Sequence, residues 1–542
     1  MDALEHQGRR GRTRWTALGG AALLTAAGLL TAAPAAAGPP GGPGGGPGGG
    51  PGGAPAGCER RVNADVEKLL RCVTVEGVTE HLQALQDVAE GNGGNRASGS
   101  PGYTASADHV DAVLTAAGYD VVRQSFAFPY FEETAPSVFA QVAPEPATYT
   151  AGTDYAVASF SGSADVTGTA VPVDTDLSPS DTSTSGCEAS DFTDAVAGQV
   201  ALVQRGTCSF GEKAANAEAA GAVGVVIVNR GTTGEDGLLN PTLGEPGVTI
   251  PVVGTTYALG ASLAGDTVQI AVTAISEVRE TENLTAELPG RSSDGVVVVG
   301  GHLDSVPEGP GINDNGSGSA TILEVAQNLA NTRLAHPVRF AFWGAEEFGL
   351  LGSQAYVDSL PADELARIGA YLNFDMLGSP NFANFVYDSD GDTFEAPDGY
   401  VSDASAAIEQ TFEDFYDSRG IAYEDTEFDG RSDYQAFADA GIPSGGLFSG
   451  AEGVMTEEQA VRYGGTAGQP YDPCYHQACD DVTNISRVAL DQNSDAVAYA
   501  VLMTAQAGSG PGQGPGGPGH GGPGGPGHGG PGHGHGPGGT TA

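Results

Sequence analysis

The chain has 542 residues, 40% of them apolar, with 85 Gly, 34 Pro and a formal charge of −46 at pH 7. That length suits two or more domains, and so large an acidic excess excludes nucleic acid as a partner, because phosphate binding needs Lys and Arg in excess. The acidity reads first as solubility outside the cell, with attraction of cationic substrates as the functional alternative.

At the start of the chain, Arg9, Arg10, Arg12 and Arg14 precede an apolar run from about Thr16 to Ala32 and the small residues Ala35, Ala36 and Ala37. This is the pattern of a signal peptide over 1–37, cleaved after Ala37, and it implies a secreted, extracellular protein. The run is short and rich in Ala and Gly for a membrane span, so none is expected in the mature chain. Arg9-Arg10 leaves a twin-arginine route open beside general secretion. Residues 38–57 and 508–542 are Gly/Pro-rich, the latter with His520, His528, His533 and His535. Such segments bury too little apolar surface to offset ordering entropy and are expected to be disordered, the tail serving as a spacer.

From Val73 to Ala117 the apolar spacing is helical (Val78, Leu82, Leu85, Val88, then Val110, Val113, Leu114, Ala117), broken by the turn-rich loop GNGGNRASGSPGY. A strand is expected at Tyr119–Phe128. Residues 131–275 are poor in charge and rich in Thr, Val, Ser and Gly, with frequent turn signals, which suits a β-rich insert. The chain then returns to α/β alternation, with a strand at Asn283–Leu288, further strands at Val296–Val299, Val338–Phe342 and Ala370–Phe374, and helices near Ala320–Leu329, Gly352–Leu360, Ser402–Arg419 and Val497–Ala505. The expected fold class is α/β, a mixed, mainly parallel sheet sandwiched by helices. The catalytic domain would be 58–130 together with 276–507, interrupted by the insert.

Six cysteines in an exported chain point to disulfides. Order along the chain suggests Cys58 with Cys72, Cys187 with Cys208 and Cys474 with Cys479; local pairing is one of 15 connectivities.

The three central strands each end in metal-capable residues: His302 and Asp304, then Glu346 and Glu347, then Asp375. A fourth polar cluster, Asn313 to Ser319, opens a helix. Ligands gather at the carboxyl ends of parallel strands, so these clusters form one candidate site. Outside the signal and tail only His81, His109, His302, His336 and His476 remain. Surface positions account for His81, His109 and His336, whereas His302 directly follows a four-valine strand and two glycines. His302, Asp314, Glu347, Asp375 and His476 together suit zinc, with nitrogen and oxygen donors and open positions for water and substrate. Two ions sharing a carboxylate and a bridging hydroxide would each polarise one side of a hydrolysis. Glu346 then serves as general base. Adjacent glutamates reach one site only from a turn, which Gly344 and Gly349 permit.

The segments GHLDSV, GINDNGSGSA, WGAEEFGLLGS, NFDMLGSP and CYHQACD resemble the secreted bacterial zinc aminopeptidases with co-catalytic metals, most closely the Streptomyces-type leucine aminopeptidase family. QVALVQRGTCSFGEKAANAEAAGAVGVVIVNRG within the insert resembles the protease-associated domain. The resemblance implies two zinc ions per chain, with Asp314 bridging, His302 and Asp375 completing one and Glu347 and His476 the other. It implies Glu346 as base, Tyr475 as oxyanion donor, Arg431 as a substrate contact and Phe448 as a wall of an apolar pocket. Arg431 beside Asp429 and Asp433 equally suits a structural ion pair, and Phe448 equally suits the core.

Asp491 and Asp495 match positions where some relatives hold calcium. The partner carboxylate is missing and Cys72 stands in its neighbourhood, so calcium is implied only at an incomplete site. The expected function is removal of N-terminal, preferentially large apolar, residues from peptides with a free N-terminus by a monomer. A carboxypeptidase or amidohydrolase on the same two-metal scaffold is the enzymatic alternative. A cell-surface binding protein that uses the protease-associated domain is the alternative from another class.

Overall fold

The computed structural model describes residues 57–397 and 399–507. The expected signal peptide, most of the Gly/Pro-rich stretch after it and the Gly/Pro/His-rich tail lie outside the described residues.

Strands run in the order Glu424–Thr426, Phe385–Tyr387, Ser444–Phe448, Ile368–Phe374, Val296–His302, Val338–Trp343 and Thr267–Leu288. The central strands Ser444–Phe448, Ile368–Phe374, Val296–His302 and Val338–Trp343 are mutually parallel. Thr267–Leu288 and Phe385–Tyr387 join this group antiparallel. The sheet is therefore mixed and mainly parallel, as expected. Val296–His302 is buried along its whole length because helices cover both faces, which explains its unbroken apolar run.

Alternate side chains feed two separate cores. Val297, Val299, Phe340 and Phe342 face the helices Val75–Gly91, Pro101–Ala117, Gly318–Leu329, Asp403–Arg419 and Arg487–Gln506. Val296, Val298, Trp343 and Tyr371 face Leu351–Ser359 and Tyr434–Asp439, where Tyr371 stacks on Phe437 at 3.9 Å.

Two expected elements prove longer. The strand expected at Tyr119–Phe128 runs from Val121 to Ala143 and pairs antiparallel with Thr267–Leu288 over nearly its full length. Pro129 and Pro136 look like strand breakers, but this is an edge strand, where a missing N–H is tolerated. The ribbon crosses from the α/β body into the insert. There the other edge of Thr267–Leu288 pairs with Ala164–Pro172, which continues into the parallel strands Val200–Gln204, Gly224–Val228 and Val252–Thr255. The expected order of strand, cysteine turn, Ala-rich helix and strand is present, with the helix at Phe210–Ala219. The last helix begins at Arg487, not Val497, capped by Ser486 accepting from the Ala489 N–H. Its first half was illegible because it buries polar Asn493 and Ser494, and Asn493 is satisfied by Leu377 O and the Tyr416 hydroxyl.

Three disulfides are present, Cys58–Cys72, Cys187–Cys208 and Cys474–Cys479, so the local pairing holds. His81 and His109 are not surface residues: both are half-buried, their rings 6.0 Å apart, with His81 Nε2 2.8 Å from Gln327 Oε1.

Candidate metal centre

Parallel register sets the site. Trp343 pairs with His302 and Asn373 with Gly300, so the residues that follow each strand emerge at one level, at the carboxyl ends of the parallel strands. His302 ends its strand and is 1% exposed, and Asp375 follows Phe374 directly. Glu346 and Glu347 occupy the turn after Trp343, where Ala345 takes a left-handed φ of 53°. This is the turn that two adjacent glutamates require. Ala345 rather than Gly344 adopts the unusual backbone. Gly344 is needed for space instead, since a Cβ there would meet the Tyr103 hydroxyl at 2.6 Å.

Asp314 lies in the irregular turn Ile312–Ser317 that opens the helix Gly318–Leu329. Asn315 staples this turn to the neighbouring strand end, donating to Phe374 O and accepting from the Gly318 and Met376 N–H groups. The Asp314 carboxylate points both ways, with Oδ1 3.2 Å from His302 Nε2 and Oδ2 3.2 Å from His476 Nε2. His302 Nε2 is also 3.4 Å from Asp375 Oδ1 and 3.7 Å from Glu346 Oε2. His476 Nε2 is 3.1 Å from Glu347 Oε2. Three three-residue donor groups result: His302–Asp314–Asp375 and Asp314–Glu347–His476, which share Asp314, and His302–Glu346–Glu347.

The charge balance asks for cations. Four carboxylates converge on two imidazoles, and Glu347 Oε1 and Asp375 Oδ1 are buried without a hydrogen-bond partner. Burial pushes Glu346 well above the usual carboxylate range, and burial with nearby Asp314 pushes Glu347 up to about 8. Asp314 is held well below it, because the two histidines outweigh its burial. Against the same desolvation, hydrogen bonds to Asp314 and Glu347 raise His476 to about 10. Buried carboxylates at this density need positive charge beside them. The mixed imidazole and carboxylate donors suit a borderline divalent ion.

His476 arrives on the loop closed by Cys474–Cys479, with a left-handed φ of 57° and its ring stacked on Tyr475 at 3.8 Å. Buried Asp480 docks the loop by accepting from the Asn313 and Asp314 N–H groups. Buried Asp472 accepts from Asn313 and Asn484 side chains. Burial, then Asp314 and Glu347, keep the Tyr475 phenol protonated well beyond neutral pH.

A cleft of about 290 Å³ opens from the donors and is walled by Met376, Phe385, Phe448 and Tyr471 on one side and Arg431, Glu452 and Tyr475 on another. Phe448 is half-buried in this wall, its ring 6.1 Å from that of Phe385. Arg431 does not pair with Asp429 or Asp433 through its side chain; it donates to Glu452 at 2.8 Å and to the Tyr475 hydroxyl at 3.1 Å. All nine residues expected at the site thus line one cleft.

Ser432, Ser98 and Arg96 carry no signal of a supporting role in the sequence, and Asp304, expected among the metal-capable residues, supports His302 through its backbone instead. Ser432 donates to Asp375 Oδ2, Asp304 presents its backbone oxygen 3.1 Å from His302 Nδ1, and Ser98 accepts from the Ala345 N–H. Arg96, fully buried, donates to the carbonyls of Leu303, Pro310 and Gly311 and so pins the loop between His302 and Asp314. In the sequence it is only a single arginine inside GNGGNRASGSPGY.

Two family models match, "Peptidase family M28" over residues 283–501 and "PA domain" over residues 166–263. An aminopeptidase of Pseudomonas aeruginosa strain UCBPP-PA14 is 49% identical over 438 residues, 80% of this chain and 81% of that protein. Among solved structures, an aminopeptidase from Aneurinibacillus sp. strain AM-1 is similar at 26% identity and TM-score 0.60, covering 82% of this chain and 97% of its own. A zinc aminopeptidase from Bacillus subtilis is similar at 25% identity and TM-score 0.51, covering 80% and 96%.

Proposed function

The chain belongs to peptidase family M28 with an inserted PA domain, and from that premise we propose that it is a zinc aminopeptidase carrying two ions per chain. The observation that carries the metal count is the Asp314 carboxylate, which turns one oxygen to each histidine and so belongs to two of the donor groups. His302 and Asp375 would complete one ion and Glu347 and His476 the other. Zinc bound there supplies a Lewis acid for the scissile carbonyl and lowers the pKa of water. The Asp491 and Asp495 pair forms no three-residue donor group among the described residues.

The chain's own residues divide the remaining work. Glu346, buried in the cleft beside the donors with Oε2 3.7 Å from His302 Nε2, takes the proton of the attacking water and returns it to the leaving amine. Tyr475 donates its hydroxyl to the developing oxyanion, and Arg431 fixes that hydroxyl in place. Glu346 and Asp375 offer anionic partners to a free α-amine, which selects exopeptidase action over cleavage of blocked peptides. Phe385, Phe448, Tyr471 and Met376 form an apolar wall suited to a large apolar first side chain. No helix among the described residues is long and apolar enough to cross a membrane, and three disulfides support secretion.

The deciding experiment compares leucine p-nitroanilide, its N-acetylated counterpart and a C-terminal substrate, each with and without a chelator. Rapid, chelator-sensitive cleavage of the free amine alone is expected. Equal cleavage of the acetylated substrate would remove the aminopeptidase reading.

A further inference from the structure

The turn that carries Glu346 and Glu347 is held from outside the metal site. Phe348 leaves this turn one residue after Glu347 and packs against two rings of the ribbon strand Val121–Ala143, Phe128 at 5.1 Å and Tyr130 at 5.4 Å between centroids. Phe128 and Tyr130 are buried, and with Ala345 they form a small core of their own, apart from the two faces of the main sheet. Arg279 on the partner strand lies over the Tyr130 ring at 3.4 Å, and the Tyr130 hydroxyl donates to Glu132. A second tie runs beside the rings: Ser98 Oγ accepts from the Ala345 N–H at 2.6 Å and from Thr281 Oγ1 of the ribbon at 3.2 Å.

The same two strands continue into the PA domain, where Thr267–Leu288 pairs with Ala164–Pro172. Between the aromatic grip and that sheet the ladder slips register twice, at Glu133 to Ala135 and at Ala135 to Val138. Bulges of this kind let a ribbon bend. Ala345 holds a left-handed φ of 53°, a conformation that a non-glycine residue keeps only where its surroundings enforce it. Its neighbours supply the enforcement: Ser98 on the N–H, and Phe348 anchored three residues on.

We propose that Phe348, gripped by Phe128 and Tyr130, is a positioning residue for Glu346 and Glu347, and that the ribbon thereby makes the PA domain's attachment part of the catalytic apparatus. It rests on the reading of Glu346 as general base. Loss of the grip lets the turn relax toward ordinary backbone and displaces the base, whereas the aromatic substrate wall of Phe385, Phe448 and Tyr471 is untouched. Turnover should therefore suffer more than substrate affinity, which keeps Asp375 and the aromatic wall and loses only the Glu346 contact to the α-amine.

The test measures kcat, KM, zinc content and melting temperature on the full chain for Phe348→Ala, Phe348→Tyr, Tyr130→Leu and Glu346→Gln, with Val278→Ser, an exposed position on the same ribbon, as control. Phe348→Ala and Tyr130→Leu should each lower kcat by about 10- to 100-fold with a clearly smaller rise in KM, the scale of a misplaced catalytic group. Phe348→Tyr should restore most of the rate, and Val278→Ser should match the parent. Wild-type kcat in folded Phe348→Ala overturns the proposal, as does a loss shared equally by kcat and KM. If Phe348→Ala fails to fold, Tyr130→Leu decides alone on the same criteria. Retained activity in Glu346→Gln would instead overturn the assignment of the base, so the two failures are separable.

Discussion

Ser432 Oγ donates a 2.7 Å hydrogen bond to Asp375 Oδ2 and itself accepts from Asn373 Nδ2 at 2.8 Å. The carboxylate is thereby fixed with Oδ1 turned 3.4 Å from His302 Nε2 and free of any other partner. Orientation of this kind is what a metal ligand needs from its surroundings, because an unheld carboxylate loses rotamer entropy on binding. Ser432→Ala should weaken zinc binding about 10- to 100-fold, as loss of such outer hydrogen bonds does. Competition with a chelator of known affinity measures it, and unchanged zinc affinity would separate Ser432 from the site.

His476 reaches the centre from an exposed loop and is one of three donors in its group. His476→Ala should lower bound zinc from about two per chain to about one, since the group of His302, Asp314 and Asp375 keeps its own donors. Elemental analysis of the dialysed protein gives the count. Two ions retained would place the second one elsewhere.

Arg96 is a fully buried cation satisfied by three carbonyls, and burial holds its pKa down to about 10 against the pull of Asp304, Asp480, Asp314 and Glu347. Arg96→Met strips donors from those carbonyls and a positive charge from that group of acids. A stability loss of about 3–5 kcal/mol is expected, the range for buried charges left without their counterpart. Denaturant unfolding of the two proteins tests it, and a loss under about 1 kcal/mol would contradict it.

Glu409 lies apart from the metal centre, accepting from the Ser389 and Asp390 N–H groups at 2.8 Å each. Burial, reinforced by Asp390, raises its pKa from 4.5 to about 8. The folded state thus binds this proton more tightly than the unfolded chain does. Its contribution to stability is full below about pH 4.5 and is lost as pH rises through about 8. Glu409→Gln keeps an acceptor and removes the titration, so its stability relative to the parent should rise across that window. Unfolding curves at intervals from pH 5 to pH 8.5 give the difference, and a flat difference would count against the raised pKa.

Two periodicities made much of the fold legible. Val296–Val299 had to be a strand buried on both faces because no polar residue interrupts it, and Val78, Leu82 and Leu85 had to share a helix face. Residues at the ends of those apolar runs announced the donors, since a histidine or a pair of acids after a buried strand has no packing role to fill. Pattern failed where tertiary pairing overrode local signals: prolines tolerated on an edge made the ribbon unreadable past Phe128, and buried Asn493 disguised the start of the last helix.

By itself, then, the sequence determined the α/β class and the order of the main elements, and it pointed to local disulfide pairing and to a candidate donor set. These are encoded in short windows, where period, turn chemistry and residue type suffice. Only the tertiary structure decided how the donors share space: that Asp314 faces both histidines, that Asp480 docks the disulfide loop on the turn holding Asp314, and that Phe348 ties the glutamate turn to the ribbon. Each of these joins residues far apart in the chain. Their closeness follows from strand register and helix packing, which arise only when the whole domain buries its apolar surface together.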